Sequence, residues 1–243
     1  MALRSLLDGA LLAETFGEGT PRVLALHGWG RRGNDFAQAL RGIPSLAPDL
    51  PGFGASPPPD SVYGAAEYAK VISRALGLFA EPPVVVGHSF GGRVAVCLAA
   101  GNPGLVGPLV LSGVPLLRLG PNPKPSWSYR LARMGNRVGL LTDERMERLR
   151  RSRGSADYRA ASGVMRDILV KVINESYQEQ LGRIPHRVRL VWGSDDREVP
   201  VQVAEAAGRM LPNSQLEVLE GVGHFVPSEA PARLNAIIRE ELG

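Results

Sequence analysis

The stretch from Val84 to Val96 constrains the fold more than any other part of the chain. Three consecutive valines lead into Gly-His-Ser-Phe-Gly-Gly, and an apolar stretch compatible with a helix follows. A β-branched run that breaks at glycine predicts a buried strand followed by a very tight turn. Ser89 at this turn must take a strained backbone conformation, and Gly87 and Gly91 lack the Cβ atoms that would collide there. We therefore expect the Ser89 hydroxyl at the carboxyl end of a sheet, where open α/β folds bind ligands.

Strand-like and helix-like stretches alternate on both sides of this turn. Such alternation is typical of a largely parallel sheet with helical crossovers. The pattern predicts strands at residues 11–16, 21–26, 45–49, 105–112, 188–192 and 215–219. It predicts helices at residues 63–79, 201–210 and 232–242.

The pattern changes between residues 116 and 181. This segment has a proline-rich entry, no obvious strand, and apolar residues at helical spacing such as Val164, Ile168 and Val172. We interpret residues 116–181 as a helical cap (lid) inserted into an α/β core made of residues 1–115 and 182–243. One core with an insertion is the economical division of a chain of 243 residues.

The net charge of +4 is concentrated in the same part of the chain, because residues 115–187 carry 15 lysines and arginines against 7 aspartates and glutamates. A dense run of arginines within it reads as a solvated helix face. The segment lacks a recognised nucleic-acid-binding module, so no nucleic-acid partner is expected. The run consists of Arg145, Arg148, Arg150, Arg151 and Arg153.

Cysteine content and hydropathy exclude other classes of protein. Cys97 is the one cysteine, so an internal disulfide and a cysteine-based zinc site are excluded. Asp8 and Glu14 interrupt the apolar start, and no apolar run reaches the roughly 20 residues that a membrane span needs. We expect a cytoplasmic protein that does not contact membranes.

A serine hydroxyl is a weak nucleophile, so it needs a base, a group that orients the base, and hydrogen-bond donors for the oxyanion. His224 lies in the glycine-rich loop Gly-Val-Gly-His-Phe-Val-Pro after the last predicted strand. Imidazole titrates near neutral pH, so His224 can take the proton of Ser89 and return it to a leaving group. We predict that His224 is the general base.

The Gly-x-Ser-x-Gly sequence between a strand and a helix resembles the nucleophile elbow of the α/β-hydrolases, and the resemblance extends over nearly the whole chain. It implies a mostly parallel central sheet flanked by helices, with an inserted helical cap. Trp-Gly-Ser-Asp-Asp-Arg-Glu-Val-Pro at residues 192–200 is similar to the acid loop of the family. Its spacing selects Asp196 as the catalytic acid, with Asp195 as the alternative.

The same resemblance implies an oxyanion hole and substrate contacts. The backbone N–H groups of Trp29 and Phe90 are the expected oxyanion donors. We predict substrate contacts from Trp29, Phe90, Arg93 and Trp127. The alternative for Trp29 is a plain packing role, and the alternative for Trp127 is packing of the cap against the core. Arg93, or an arginine of the basic run, could hold a substrate carboxylate by bidentate hydrogen bonds.

These residues predict a serine hydrolase that cleaves small to medium carboxylic esters through an acyl-enzyme. No cofactor is expected, and no metal, because neither His-Glu-x-x-His nor an EF-hand loop occurs. We expect a monomer or weak homodimer that binds a small-molecule ester.

Two other readings stay open. One is a cofactor-free lyase or C–C bond hydrolase acting on an anionic substrate, since Gly91-Gly92-Arg93 is similar to the corresponding stretch of the lyase of menaquinone biosynthesis. The other is a non-catalytic ligand receptor on the same fold.

Overall fold

A computed structural model describes residues 2–120, 142 and 156–243 of the chain. Its strands are β1 (Ala2–Leu6), β2 (Leu11–Phe16), β3 (Val23–Leu26), β4 (Ser45–Asp49), β5 (Val84–His88), β6 (Leu109–Ser112), β7 (Val188–Gly193) and β8 (Ser214–Leu219). Numbered within the described residues, the helices are α1 (Ala65–Ser73), α2 (Phe90–Gly101), α3 (Ala156–Ala160), α4 (Gly163–Val172), α5 (Gln178–Gly182), α6 (Val201–Gly208), α7 (Val226–Glu229) and α8 (Pro231–Leu242).

The eight strands form one sheet in the order β1-β2-β4-β3-β5-β6-β7-β8. The pairs β1–β2 and β2–β4 are antiparallel, and every other pair is parallel. The predicted fold class, an α/β-hydrolase fold with a mostly parallel sheet flanked by helices, is confirmed. The parallel strands all end at one edge, where the loops that carry the candidate site residues begin.

The central strands are mostly apolar because both faces of the sheet are buried. Along β5, Val85 packs into one apolar cluster while Val84 and Val86 pack into the cluster on the other face. The same alternation separates Leu24 and Leu26 of β3 from its other two residues. This two-sided burial fixes the register of the strands and therefore the positions of the loops at their ends.

Ion pairs tie the last two strands to the last helix. Arg189 of β7, nearly buried, pairs with Glu217 of β8 at 3.1 Å and with Glu240 of α8 at 3.0 Å. Arg189 also lies 3.4 Å from Glu241, whose carboxylate is buried and pairs with Arg187 at 2.7 Å. Since a buried charge that loses its partner is costly, this network holds β7, β8 and α8 together.

The division into an α/β core and a cap stays a prediction. Within residues 116–181, the described part contains α3, α4 and the start of α5, and no strand. Arg93 on α2 donates a hydrogen bond from Nη1 to the carbonyl oxygen of Val172 over 2.6 Å, so the end of α4 rests against α2. None of the helices in residues 2–120 and 156–243 has the length and hydropathy needed to span a lipid bilayer.

Candidate active site

Ser89 sits between the end of β5 and the first residue of α2, in a conformation that L-residues rarely take. Its φ is 49° and its ψ is −114°, which costs on the order of 1–3 kcal/mol. The surrounding contacts hold it there: its N–H donates to the carbonyl oxygen of Ser112 at the end of β6 over 2.9 Å. The turn thus presents a half-buried serine at the carboxyl edge of the sheet.

The glycines of this turn are required by close backbone approach. A Cβ on Gly91 would overlap the carbonyl of Leu26, and a Cβ on Gly87 would lie 2.6 Å from the Cα of Gly92. The neighbours that these atoms would meet are main-chain atoms of β3 and α2, which cannot rotate away. The absence of side chains therefore allows α2 to pack directly against the strand ends.

Replacing Gly91 with alanine should lower the free energy of unfolding by about 3 kcal/mol or more, because the new methyl group displaces β3 from α2. Gly101→Ala, at the other end of the same helix, is the control. No heavy atom lies within 4 Å of a Cβ at Gly101, so alanine should be neutral or stabilise the fold by up to about 1 kcal/mol. Urea denaturation of both variants measures the difference, and equal stabilities would contradict the steric argument.

Asp196 and His224 are joined by a hydrogen bond of 2.9 Å between Asp196 Oδ2 and His224 Nδ1. The other oxygen, Asp196 Oδ1, accepts the backbone N–H groups of Glu198 at 2.9 Å and Val199 at 2.8 Å. Burial alone would raise the pKa of the Asp196 carboxyl, but the hydrogen bond from His224 and those two N–H groups outweigh it and lower the pKa. Asp196 is therefore an ionised acceptor at neutral pH that orients the imidazole.

Asp195, the alternative acid, points elsewhere. Its side chain is on an exposed residue and accepts a hydrogen bond from Ser194 Oγ at 3.2 Å. The backbone N–H of Asp195 donates to the carbonyl oxygen of Val222 over 2.9 Å. Asp195 thus helps to dock the acid loop on the histidine loop, while Asp196 contacts the imidazole.

The first two residues of the acid loop explain its sequence. Trp192, fully buried, donates from Nε1 to the carbonyl oxygen of Val199 over 2.8 Å and so closes the loop around Asp196. A Cβ on Gly193 would overlap the carbonyl oxygens of Val222 and Gly223. Tryptophan therefore shapes the acid loop, and glycine lets the histidine loop pass close to it.

The histidine loop is held by Glu229, which the sequence analysis does not single out. Its carboxylate accepts the N–H of Gly223 at 2.7 Å and the N–H of Phe225 at 2.9 Å. These are the two residues on either side of His224. An acidic residue five positions after the histidine is the sequence signal that could have identified this contact.

The end of β6 is next to both Ser89 and His224. Ser89 is hydrogen-bonded to Ser112, and the next residue, Gly113, has a φ of 57°. A Cβ on Gly113 would lie 2.9 Å from both Cε1 and Nδ1 of the His224 ring, so glycine leaves the space that the imidazole fills. The structure thus brings the three side chains that the sequence analysis selects to one end of the sheet.

Two further charged side chains contact the histidine loop. Glu198 Oε2 is 3.6 Å from His224 Nε2, and the Glu198 side chain is largely exposed. The Arg31 guanidinium lies over the ring of Phe225, 4.8 Å from its centroid. No periodic pattern in the sequence marks either residue, because both contacts are made between loops.

The predicted oxyanion donors, Trp29 and Phe90, belong to one aromatic cluster. Their ring centroids are 5.4 Å apart, and Phe53 and Tyr68 pack edge-on against them. Within the described part of the chain, neither backbone N–H donates to a protein acceptor. Both donors are therefore free to bind an oxyanion, and their assignment stays a prediction.

The other histidines near the site have structural partners. His27 Nε2 accepts the N–H of Leu50 at 2.9 Å, which ties the loop after β3 to the loop after β4. His88 Nδ1 lies 3.1 Å from the carbonyl oxygen of Ser112. Burial, helped by the nearby His224, lowers the pKa of His88 to about 3, so the ring is neutral.

Of the other two predicted substrate contacts, Arg93 has protein partners and Trp127 lies outside the described residues. The buried Arg93 guanidinium binds the carbonyl oxygen of Val172 and lies over the ring of Tyr177, 5.7 Å from its centroid. Its assignment to a substrate carboxylate stays a prediction. Trp127 and the arginine run lie outside the described residues.

In the described ranges, no group of three or more His, Cys, Asp or Glu side chains could hold a metal ion.

A family model described as an alpha/beta hydrolase family matches residues 23–237. The chain is 28% identical over 264 residues to a 2-hydroxy-6-oxononadienedioate/2-hydroxy-6-oxononatrienedioate hydrolase of Cupriavidus pinatubonensis, covering 93% of this chain and 88% of that protein. It is 29% identical over 273 residues to lipase LipV of Mycobacterium tuberculosis, covering 93% and 94%.

A solved structure is also similar. A thermophilic esterase from Thermogutta terrifontis matches with a TM-score of 0.68 and 24% identity over 96% of this chain and 92% of that one. At this identity the likeness shows the fold.

Proposed function

The chain belongs to the alpha/beta hydrolase family, and from this premise we propose that it is a serine hydrolase that cleaves small to medium carboxylic esters through an acyl-enzyme. The observation that carries the proposal is the hydrogen bond between Asp196 and His224, in the loops after β7 and β8, at the same edge of the sheet as the strained turn that holds Ser89. A serine nucleophile, an imidazole base and an ionised carboxylate are the groups that acyl transfer needs.

In the proposed mechanism, Ser89 Oγ attacks the ester carbonyl while His224 Nε2 takes its proton. Asp196 holds the ring through Nδ1 and stabilises the imidazolium that forms. The N–H groups of Trp29 and Phe90 bind the oxyanion, and each such donor typically contributes about 2.7–4 kcal/mol to barrier lowering. His224 then protonates the leaving alcohol, and a water activated by the same imidazole releases the acid.

A C–C bond hydrolase acting on an anionic substrate is the second candidate. The identity of the chain to the 2-hydroxy-6-oxononadienedioate/2-hydroxy-6-oxononatrienedioate hydrolase over 93% of its length favours it. The identity to lipase LipV has the same extent and supports the ester proposal. Both reactions can use the same three side chains, so substrates must separate them.

We expect the purified protein to hydrolyse p-nitrophenyl esters from acetate to hexanoate and to be labelled covalently by a fluorophosphonate probe. Release of p-nitrophenolate measures turnover, and mass spectrometry locates the label on Ser89. Labelling without turnover of any ester would favour the C–C bond hydrolase. Absence of both labelling and turnover would contradict the hydrolase proposal and favour a ligand receptor.

A further inference from the structure

We propose that the cleft between the loop after β3 and the loop after β4 is a carboxylate-binding subsite, which selects esters that carry a second, ionised acid group. This inference rests on the proposed ester hydrolysis and extends it to a substrate class, the monoesters of dicarboxylic acids. The residues that carry it are different from Arg93 and from the arginine run of the predicted cap.

The cleft has a volume of about 360 Å³ and is lined by Gly30, Arg31, Arg32, Asp35 and Gly54. It lies beside the proposed oxyanion hole, because Gly30 directly follows Trp29. Gly54 on its other wall follows Phe53, whose ring packs on Trp29 with 4.9 Å between centroids. A Cβ on Gly28 would lie 3.4 Å from Ser89 Cβ and 3.7 Å from Arg31 Cγ, so the cleft-lining Arg31 side chain starts close to the serine.

Arg31 contacts two groups beside this cleft. Its Nε lies 2.6 Å from Asp35 Oδ2, and its guanidinium stacks on Phe225, the residue after His224. Among the described residues, neither Nη1 nor Nη2 of Arg31 has a hydrogen-bond or ion-pair partner, and the side chain is 41% exposed. The Nη1 and Nη2 groups of a guanidinium present parallel N–H donors that match the two oxygens of a carboxylate.

Arg32 adds a second positive charge at the same cleft. It is exposed, and no described side chain pairs with it. With two arginines and one aspartate, the lining carries a net charge of +1. The remaining two lining residues are glycines, so the lining of the cleft offers no apolar side chain against which an alkyl chain could pack. Its chemistry therefore suits an anionic end group rather than a longer neutral acyl chain.

The test compares p-nitrophenyl monoesters of succinate, glutarate and adipate with the neutral butyrate ester. For the wild type, we expect kcat/KM for the best diacid monoester to exceed that for butyrate at least fivefold. In Arg31→Gln/Arg32→Gln this ratio should fall about tenfold, whereas Arg74→Gln, which changes an exposed arginine at the end of α1, should leave it unchanged. The preference should also weaken as salt is raised.

The outcomes separate this inference from the proposed function. Hydrolysis of butyrate with no preference for the diacid monoesters, or a preference that survives the double substitution, would overturn the subsite and leave the function intact. If the wild type hydrolyses neither class, calorimetric titration with glutarate tests the subsite alone. Binding that is lost in the double variant would then support it, and no binding by the wild type would overturn it.

Discussion

Ester hydrolysis should be lost in Ser89→Ala, with kcat for p-nitrophenyl butyrate lowered by about 10⁴- to 10⁶-fold. Alanine removes the attacking oxygen but keeps a side chain in the same strained conformation, so the fold should be retained. The residual rate would come from the oxyanion donors and from substrate binding. Stopped assays at high enzyme concentration, together with loss of fluorophosphonate labelling, measure this effect.

Ser73→Ala is the matched control for this substitution. The Ser73 hydroxyl is exposed on α1 and donates to the carbonyl oxygen of Lys70 over 2.9 Å, so its loss should change kcat less than twofold. Ser89→Gly should be as inactive as Ser89→Ala, yet more stable by about 1 kcal/mol, because glycine accepts a φ of 49° without strain. A Ser89→Ala enzyme that keeps a tenth or more of its activity would remove Ser89 from the mechanism.

Asp196→Asn should lower kcat by about 10⁴-fold. The amide would present an N–H to His224 Nδ1, where the carboxylate now accepts a hydrogen bond over 2.9 Å. The imidazole would then carry its proton on Nε2, which is the nitrogen that accepts the proton of Ser89 in the proposed mechanism. Steady-state kinetics across the neutral pH range measure the loss, and circular dichroism checks that the fold is kept.

Asp195→Asn tests the neighbouring acid with the same chemical change. Because Asp195 is exposed and its carboxylate contacts Ser194 Oγ, we expect a change in kcat of less than threefold. If the two substitutions exchanged their effects, the acid would be Asp195, and the acid loop would have to rearrange during catalysis.

Much of the sheet can be predicted from the sequence because its central strands are buried on both faces. The valine run of β5 and the apolar residues of β7 favour strands that are covered on both faces of the sheet. The strand β1 is not predicted, since four of its five residues are exposed and leave no alternation to detect. It is placed by antiparallel pairing with β2, which is a tertiary interaction.

The candidate site is likewise predictable from the sequence only in part. The residues at the strand ends are marked in the sequence by nearby glycines and by their spacing within short loops. These signals lie within a few residues of the site residues, so they can be detected locally. The contacts of Arg31 with Phe225, and of Glu198 with His224, join different parts of the surface. Such contacts depend on side-chain positions that no periodicity encodes. Trp127, in the predicted cap, lies outside the described residues, and its role stays a prediction.

The close fit of Gly193 against the histidine loop bears on how this enzyme loses activity on heating. Carboxylate and imidazole are carried by two loops locked to each other, on strands that are themselves bound to one terminal helix. Thermal displacement of that edge of the sheet would therefore carry both groups as a rigid unit. We expect inactivation to begin with a longer distance between the imidazole of His224 and the hydroxyl of Ser89. The hydrogen bond between Asp196 and His224 would remain intact.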